Sequence, residues 1–182
     1  MNNPVWNEIL EALGTATAAS GHPFRFGALA TIGLEQVPRQ RTIVLREFVP
    51  ETQRLTFFTD ARSKKMLHIK ENNKVSLLFY HPDKQLQLRL EGLAVKETDR
   101  AILEEYWALV KESSRREYAT ARVPGTELEA SERLEYLKDD HHFAVVHVHP
   151  FRMEYLQLRR PDHLRVRFSK DSKGWRSDYL VP

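Results

Sequence analysis

The chain has no cysteine among its 182 residues, which rules out both a disulfide framework and a thiolate metal site. No apolar run approaches the roughly 20 residues that a bilayer-spanning helix needs. The N-terminus has no basic start followed by an apolar stretch, so no signal peptide or membrane contact is expected, and the expected location is cytoplasmic. The seven glycines never fall in a G-x-G-x-x-G pattern, which argues against a dinucleotide loop. Internal repeats and low-complexity segments are absent. Neither charge sign dominates, with 28 Lys and Arg against 25 Asp and Glu.

What remains is a chain that is 41% hydrophobic and 29% charged, the composition of a protein with a real core. Its length suits one domain, taken as 1–182. The basic excess lies at the C-terminal end: residues 150–182 hold eight Lys and Arg against four Asp and Glu, leaving a net charge of −1 for residues 1–149. A nucleic-acid footprint would show a basic stripe. An anionic small molecule accounts for the same residues with less, and no nucleic-acid partner is expected.

Residues 1–20 read as a helix and loop. Asn3 caps it, Pro4 opens it, and Trp6, Ile9, Leu10 and Leu13 form its apolar stripe. Strands follow at Phe24 to Ile32, from Arg41, at Leu55 to Thr59, at Val75 to Tyr80 and at Leu86 to Glu91. Residues 99–140 read as a helical insertion: a helix capped by Asp99 and running to Val110, a short one from Ser113 to Ala119, and a third from Glu127 to Lys138. Residues 141–182 return to strands, at Phe143 to His149, Arg152 to Leu158, Leu164 to Ser169 and Trp175 to Val181. His147 and His149 share a strand face, but no third ligand stands at metal spacing, and no metal is expected. The pattern predicts a mainly β fold with peripheral helices (α+β).

The stretch from Arg41 to Gly92 carries the chemistry. A helix starts at Ser63 with Lys64 and Lys65 in its first turn. The helix dipole already favours negative charge there, so two cations at that end suit an anion on the free N–H groups. Two solvated surface lysines would give the same pattern. Arg41, Thr59, Ser63, Lys64 and Lys65 could gather on one phosphate. Arg41 and Arg46 fall on opposite faces of their strand unless it bulges or ends.

Five short motifs recur here in order: Arg41-Thr42-Ile43-Val44-Leu45-Arg46, Phe57-Phe58-Thr59-Asp60, Ser63-Lys64-Lys65, Asn72 to Phe79, and Gln87 to Gly92. Together they resemble the flavin-binding core of the pyridoxamine 5'-phosphate oxidase family, in the divergent branch whose members often lack an assigned substrate. The resemblance implies an FMN-binding split β-barrel that forms a homodimer with FMN at the subunit interface. It implies cofactor contacts from Arg41, Thr42, Ile43, Val44, Leu45, Arg46, Phe58, Thr59, Ser63, Lys64, Lys65 and Gln87. Near the C-terminus, Arg167 matches the family's flavin-contacting arginine, with Arg165 as the alternative.

The likeness weakens at the substrate positions. Arg46, Tyr106, Ser114 and His163 match substrate residues of the family, but Val110 stands where a phosphate-holding arginine is expected. Losing a guanidinium removes a bidentate phosphate partner. The implied function is an FMN-dependent oxidoreductase acting on an unknown small molecule, in which the flavin carries the chemistry and the protein orients the substrate. The alternative is an FMN-binding carrier, sensor or interaction protein without turnover. No Ser-His-Asp constellation or paired carboxylate competes with either reading, and no catalytic residue is assigned.

Overall fold

Alternation of apolar and polar residues along the strands sets the architecture. In the computed structural model, which describes residues 3–182, eight strands form one antiparallel sheet. They are β1 Phe26–Ile32, β2 Pro38–Val49, β3 Arg54–Asp60, β4 Lys74–His81, β5 Leu86–Lys96, β6 Phe143–Gln157, β7 Leu164–Asp171 and β8 Gly174–Leu180. The order is β3-β2-β1-β4-β5-β6-β7-β8, and β3 also pairs with β6. That second pairing closes six strands into a barrel and removes two sheet edges. β7 and β8 extend the sheet outward from β6. Inward residues of the ring, among them Leu29, Leu45, Phe57, Leu77, Phe79 and Leu88, are at most 1% exposed. Each contributes about 1.5–3 kcal/mol by burial. The mainly β fold with peripheral helices, built on a barrel, is the one expected from the sequence.

The last third differs in one respect. Phe143 to His149 and Arg152 to Leu158, expected as two strands, are the single strand β6. Pro150 does not break it, because β6 changes partner there. On one side it pairs with β3 up to Val148 and with β7 from Arg152. The missing N–H of Pro150 falls in the gap between the two, where no ladder bond is lost. On its other side Glu91 faces Arg152 and Gly92 faces Pro150, leaving Phe151 as the extra residue of a bulge. Gly92 fits this close approach: a Cβ there would lie 2.7 Å from the His149 carbonyl oxygen.

The helices lie outside the barrel. α1, Pro4–Ala18, starts where Asn3 Oδ1 accepts from Val5 N. Its stripe of Trp6, Ile9, Leu13 and Ala16 is buried, with Trp6 against Phe168 and Trp175. α2, Lys64–Glu71, crosses one end of the barrel beside β1. α3, Arg100–Leu109, is capped by Asp99, but none of its residues is buried, and Leu109 is 74% exposed. The short α4, Glu112–Arg115, continues as a turn of 3-10 helix, Arg116–Tyr118.

The helix expected from Glu127 to Lys138 does not form. The segment runs irregularly, tied back by Ala121 N to Glu135 O and Leu137 N to Ala119 O and by an Arg122–Glu132 ion pair. Its residues are good helix formers. However, Leu128 and Leu134 stay 41% and 49% exposed, and a helix of this length draws most of its stability from a packed face.

Three barrel turns place a glutamine in the left-handed region: Gln36, Gln53 and Gln85. That region costs a side-chain-bearing residue roughly 1–2 kcal/mol. Gln85 is exposed. Gln53 is buried, donates to Pro50 O and accepts from Trp175 Nε1. Gln85→Gly is therefore expected to raise stability by about 0.5 kcal/mol after the flexibility cost of glycine. Gln53→Gly is expected to lower it by about 1–2 kcal/mol through two lost hydrogen bonds. Urea unfolding midpoints measure both.

Candidate functional site

Strand alternation and one bulge decide where the cations go. On β2, Arg41 pairs across from Leu29 and takes the inward side at the barrel's end. Its Nη1 donates to Thr31 Oγ1 at 2.7 Å and to Leu29 O at 3.3 Å. Thr42 and Val44 take the outward side. Leu45 pairs with Phe57 and Glu47 with Thr56, so Arg46 is the extra residue of a bulge. Arg41 and Arg46 do not share a face of the barrel wall. The bulge leaves the Arg46 guanidinium 5.6 Å from the Phe58 ring centroid, with its Nε buried and without a partner.

β3 ends in Thr59 and Asp60, and α2 begins just beyond. Ser63 occupies the cap position of α2 but makes no capping bond. Its hydroxyl instead lies 3.3 Å from both Thr59 Oγ1 and Lys65 Nζ, and Lys65 donates to Thr59 Oγ1 at 2.8 Å. Burial pushes the Lys65 pKa down, and the nearby Arg41 charge adds to the shift. Burial likewise lowers the Arg41 pKa.

Among the described residues, Arg41, Arg46, Lys64 and Lys65 form no ion pair. Arg39, Arg54, Arg62, Arg89, Arg165 and Arg167 all do. Arg41, Lys64 and Lys65, the three cations that the sequence assigns to one anion, are thus without a carboxylate partner among the described residues.

Thr42, Ile43, Val44, Arg46, Phe58, Ser63 and Lys65 line one cavity of about 260 Å³. Asp60, Glu117, Tyr118 and Pro124 complete its wall, and the sequence reading had not singled these out. The last three are held there by Arg62, which grips Asp60 through both carboxylate oxygens and donates to the carbonyls of Thr120 and Ala121. Arg41 and Lys64 line a second cavity of about 360 Å³ with His68. Another cavity, about 660 Å³, runs along α2 and contains only Ser63 of the predicted set. It lacks the cation cluster. Leu45 points into the core, 1% exposed.

Gln87 and Arg167 lie elsewhere. Hydrogen-bonded neighbours run Thr42, Ala28, Leu78, Arg89, Glu154, Arg167 and Asp178 across the outer face. Three strand steps separate β2 from β5, which carries Gln87, and by way of β3 and β6 three also separate it from β7. At about 4.8 Å per step each is about 14 Å along the wall. Arg167 donates to Asp178 and Arg165 to Glu154, and each keeps a buried Nε without a partner.

The substrate candidates are likewise spread out. Tyr106 donates to Glu47 Oε2 at 2.7 Å, and that oxygen also accepts from Arg54 and Thr56. Ser114 is half-buried in α4, and His163 is exposed in the loop before β7. Val110 is buried. His147 lies between Thr56 and Glu97, within hydrogen-bonding distance of both.

Residues 3–96 match the pyridoxamine 5'-phosphate oxidase, FMN-binding domain. The chain belongs to this family. Its cofactor is FMN. A curated relative, the pyridoxine/pyridoxamine 5'-phosphate oxidase of Bordetella pertussis, is 30% identical over 167 residues, covering 85% of this chain and 78% of its own. The crystal structure of a pyridoxamine 5'-phosphate oxidase-related, FMN binding protein from Nostoc punctiforme superposes with a TM-score of 0.81 at 24% identity. It covers 99% of this chain and 98% of that one. PhzG from Burkholderia lata, crystallised with tetrahydrophenazine-1-carboxylic acid, shares the fold with a TM-score of 0.78 at 19% identity, covering 100% and 98%.

The cation cluster suits the terminal phosphate of FMN, because two half-buried cations without a carboxylate gain from a bound anion. Hydrogen bonds to charged groups are worth about 1.5–3 kcal/mol each. Replacing Lys64 and Lys65 together by alanine is therefore expected to weaken FMN binding about a hundredfold or more. Fluorescence titration of the flavin-free protein checks this, and an unchanged dissociation constant would return both lysines to the solvated surface.

Proposed function

We propose that this protein is an FMN-dependent oxidoreductase, active in the cytoplasm as a homodimer, on a small molecule other than pyridoxamine or pyridoxine phosphate. The observation that carries the reading is a set of cations without an ion pair among the described residues, Arg46 and Lys65 on the cavity walled by Phe58 and Tyr118 and Arg41 and Lys64 on a second one. Arg41, Thr59, Ser63, Lys64 and Lys65 would hold the phosphate, and Thr42 to Arg46 with Phe58 would line the rest of the cofactor. FMN, when bound, supplies the redox chemistry. The chain's own residues would bind it, exclude water and orient the substrate. Burial pushes the Tyr118 hydroxyl above its ordinary pKa, with the Arg46 charge opposing. Tyr118 is thus a neutral donor at the cavity wall.

The homodimer accounts for Gln87 and Arg167. Within one chain neither of them lines the cavities that hold Arg41 and Lys65. A two-fold interface brings the same outer surface of a second copy against the first. That surface exposes Phe26, Leu78, Tyr80, Leu93 and Val95 at 38–54% on the outward positions of β1, β4 and β5, beside the polar Thr42 and Lys74. A patch of this kind marks an interaction face. Leu78→Glu is expected to give a monomer with weakened FMN binding. Light scattering after gel filtration reads the mass, and a dimer of unchanged stability would refute this interface.

Two positions argue against a phosphorylated vitamin as substrate. Val110 offers an aliphatic side chain, buried, where a guanidinium would be required. Tyr106 already donates to Glu47, so a substrate phosphate would have to displace an internal carboxylate. A missing charge-assisted contact costs about 2–3 kcal/mol, or about 30- to 150-fold. With pyridoxamine phosphate and oxygen, the FMN-loaded protein is expected to turn over well below about 1 per second. A rate at or above that, with a micromolar KM, lies within the ordinary enzyme range and would overturn the substrate assignment. Saturable reduction of the bound flavin by some other metabolite would support the oxidoreductase reading. Its absence across amine and nicotinamide donors would favour a carrier or sensor.

A further inference from the structure

Arg41 is not held by the barrel wall alone. Its Nη1 donates to the hydroxyl of Thr31, and that hydroxyl lies 3.0 Å from Nδ1 of His68. Thr31 is 1% exposed on β1 and His68 is 7% exposed on α2. Neither belongs to the motifs that carry the family resemblance. We infer that Thr31 and His68 form a two-residue relay that fixes the Arg41 guanidinium for the phosphate of FMN. The inference rests on the reading that Arg41 contacts that phosphate.

Proton counting sets the direction of the relay. A guanidinium has five donors and no acceptor, so the Thr31 oxygen accepts from Arg41. The single hydroxyl proton of Thr31 is then free to donate to His68 Nδ1. That requires a neutral imidazole carrying its proton on Nε2. The surroundings favour this form. Burial lowers the His68 pKa, and the cations of Arg41 and Arg39 on β2 and Lys64 on α2 lower it further. The Glu35 carboxylate, from the β1–β2 turn, opposes them.

The geometry also explains why the relay would matter for a ligand. Nη1 is the guanidinium nitrogen spent on protein acceptors, on Thr31 and on Leu29 O. Nε and Nη2 make no hydrogen bond within the chain among the described residues. An arginine side chain carries about 2 kcal/mol of rotamer entropy, and anchoring one nitrogen in advance removes part of the cost of ordering it on a ligand. His68 stands three residues after Lys65, on the same side of α2. One helix turn therefore delivers Lys65 directly and orders Arg41 through Thr31. Thr31 and His68 are positioning residues.

The test is titration of the flavin-free full chain with FMN and, separately, with riboflavin, which lacks the phosphate. Thr31→Val keeps the shape and removes the hydroxyl. His68→Leu removes the acceptor. Each is expected to raise the FMN dissociation constant about tenfold, the effect of one hydrogen bond, and to leave riboflavin binding unchanged. Thr31→Ser and His68→Asn, which keep hydroxyl and acceptor, are expected to restore FMN binding to within about threefold. Equal weakening toward both flavins would show a purely structural role and overturn the relay, as would no change toward either. Arg41→Ala separates the two levels. If it leaves the preference for FMN over riboflavin intact, the phosphate reading of Arg41 fails and the relay with it. If it abolishes that preference while Thr31→Val and His68→Leu do not, the relay alone fails.

Discussion

The structure is organised around positive charge that is partly buried and not neutralised within the chain. Arg41 and Lys65 sit at one end of the barrel, each with its pKa lowered by burial. Their hydrogen-bond partners are hydroxyls and a carbonyl, never a carboxylate. A partly buried cation of this kind is costly unless paired. Hydroxyls orient such groups without cancelling their charge. The site is therefore built, before any ligand arrives, as the counterpart of an anion.

Building it depends on features of the sheet that look like imperfections. The bulge at Arg46 keeps a second arginine beside the outward residues Thr42 and Val44. The handover of β6 from β3 to β7 at Pro150 closes the barrel and at the same time extends the sheet as a flap. That extension carries Arg165 and Arg167, which pair with Glu154 and Asp178. One strand thus does two jobs, and the bulge at Phe151 opposite Gly92 absorbs the change in direction.

Much of this was legible in the sequence, for physical reasons that can be named. The Asn3, Pro4 and Asp99 helix starts are local signals, and the structure keeps them. The nearly continuous apolar run from Val75 to Tyr80 suggests a strand buried on both faces, but Leu78 and Tyr80 are 38% and 52% exposed on the outer one. The Ser63-Lys64-Lys65 helix start was visible because cations at that end go against the helix dipole. Two features were not legible, since each depends on contacts distant in sequence. Thr31 and His68 meet across 37 residues, Tyr106 meets Glu47 across 59, and nothing local announces either pair. Residues 127–138 failed in the opposite direction. Their helix propensity is genuine, but no apolar surface receives Leu128 and Leu134, and propensity without a packed face does not hold a helix together.

Asp60 shows how closely the charge balance is kept. It is buried beside Lys65, opposes the lowering of the lysine's pKa, and is the carboxylate best placed to neutralise the cluster. Arg62 prevents this by taking both of its oxygens, at 3.1 and 2.7 Å. In the same step Arg62 fastens the chain at Thr120 and Ala121, which sets Tyr118 and Pro124 against the cavity. A single ion pair therefore withholds an internal counterion from Lys65 and completes the wall on which a ring would rest. The net charge left at the barrel's end belongs to Arg41, Lys64 and Lys65. A phosphate monoester, with close to two negative charges near neutrality, matches that surplus better than a carboxylate would.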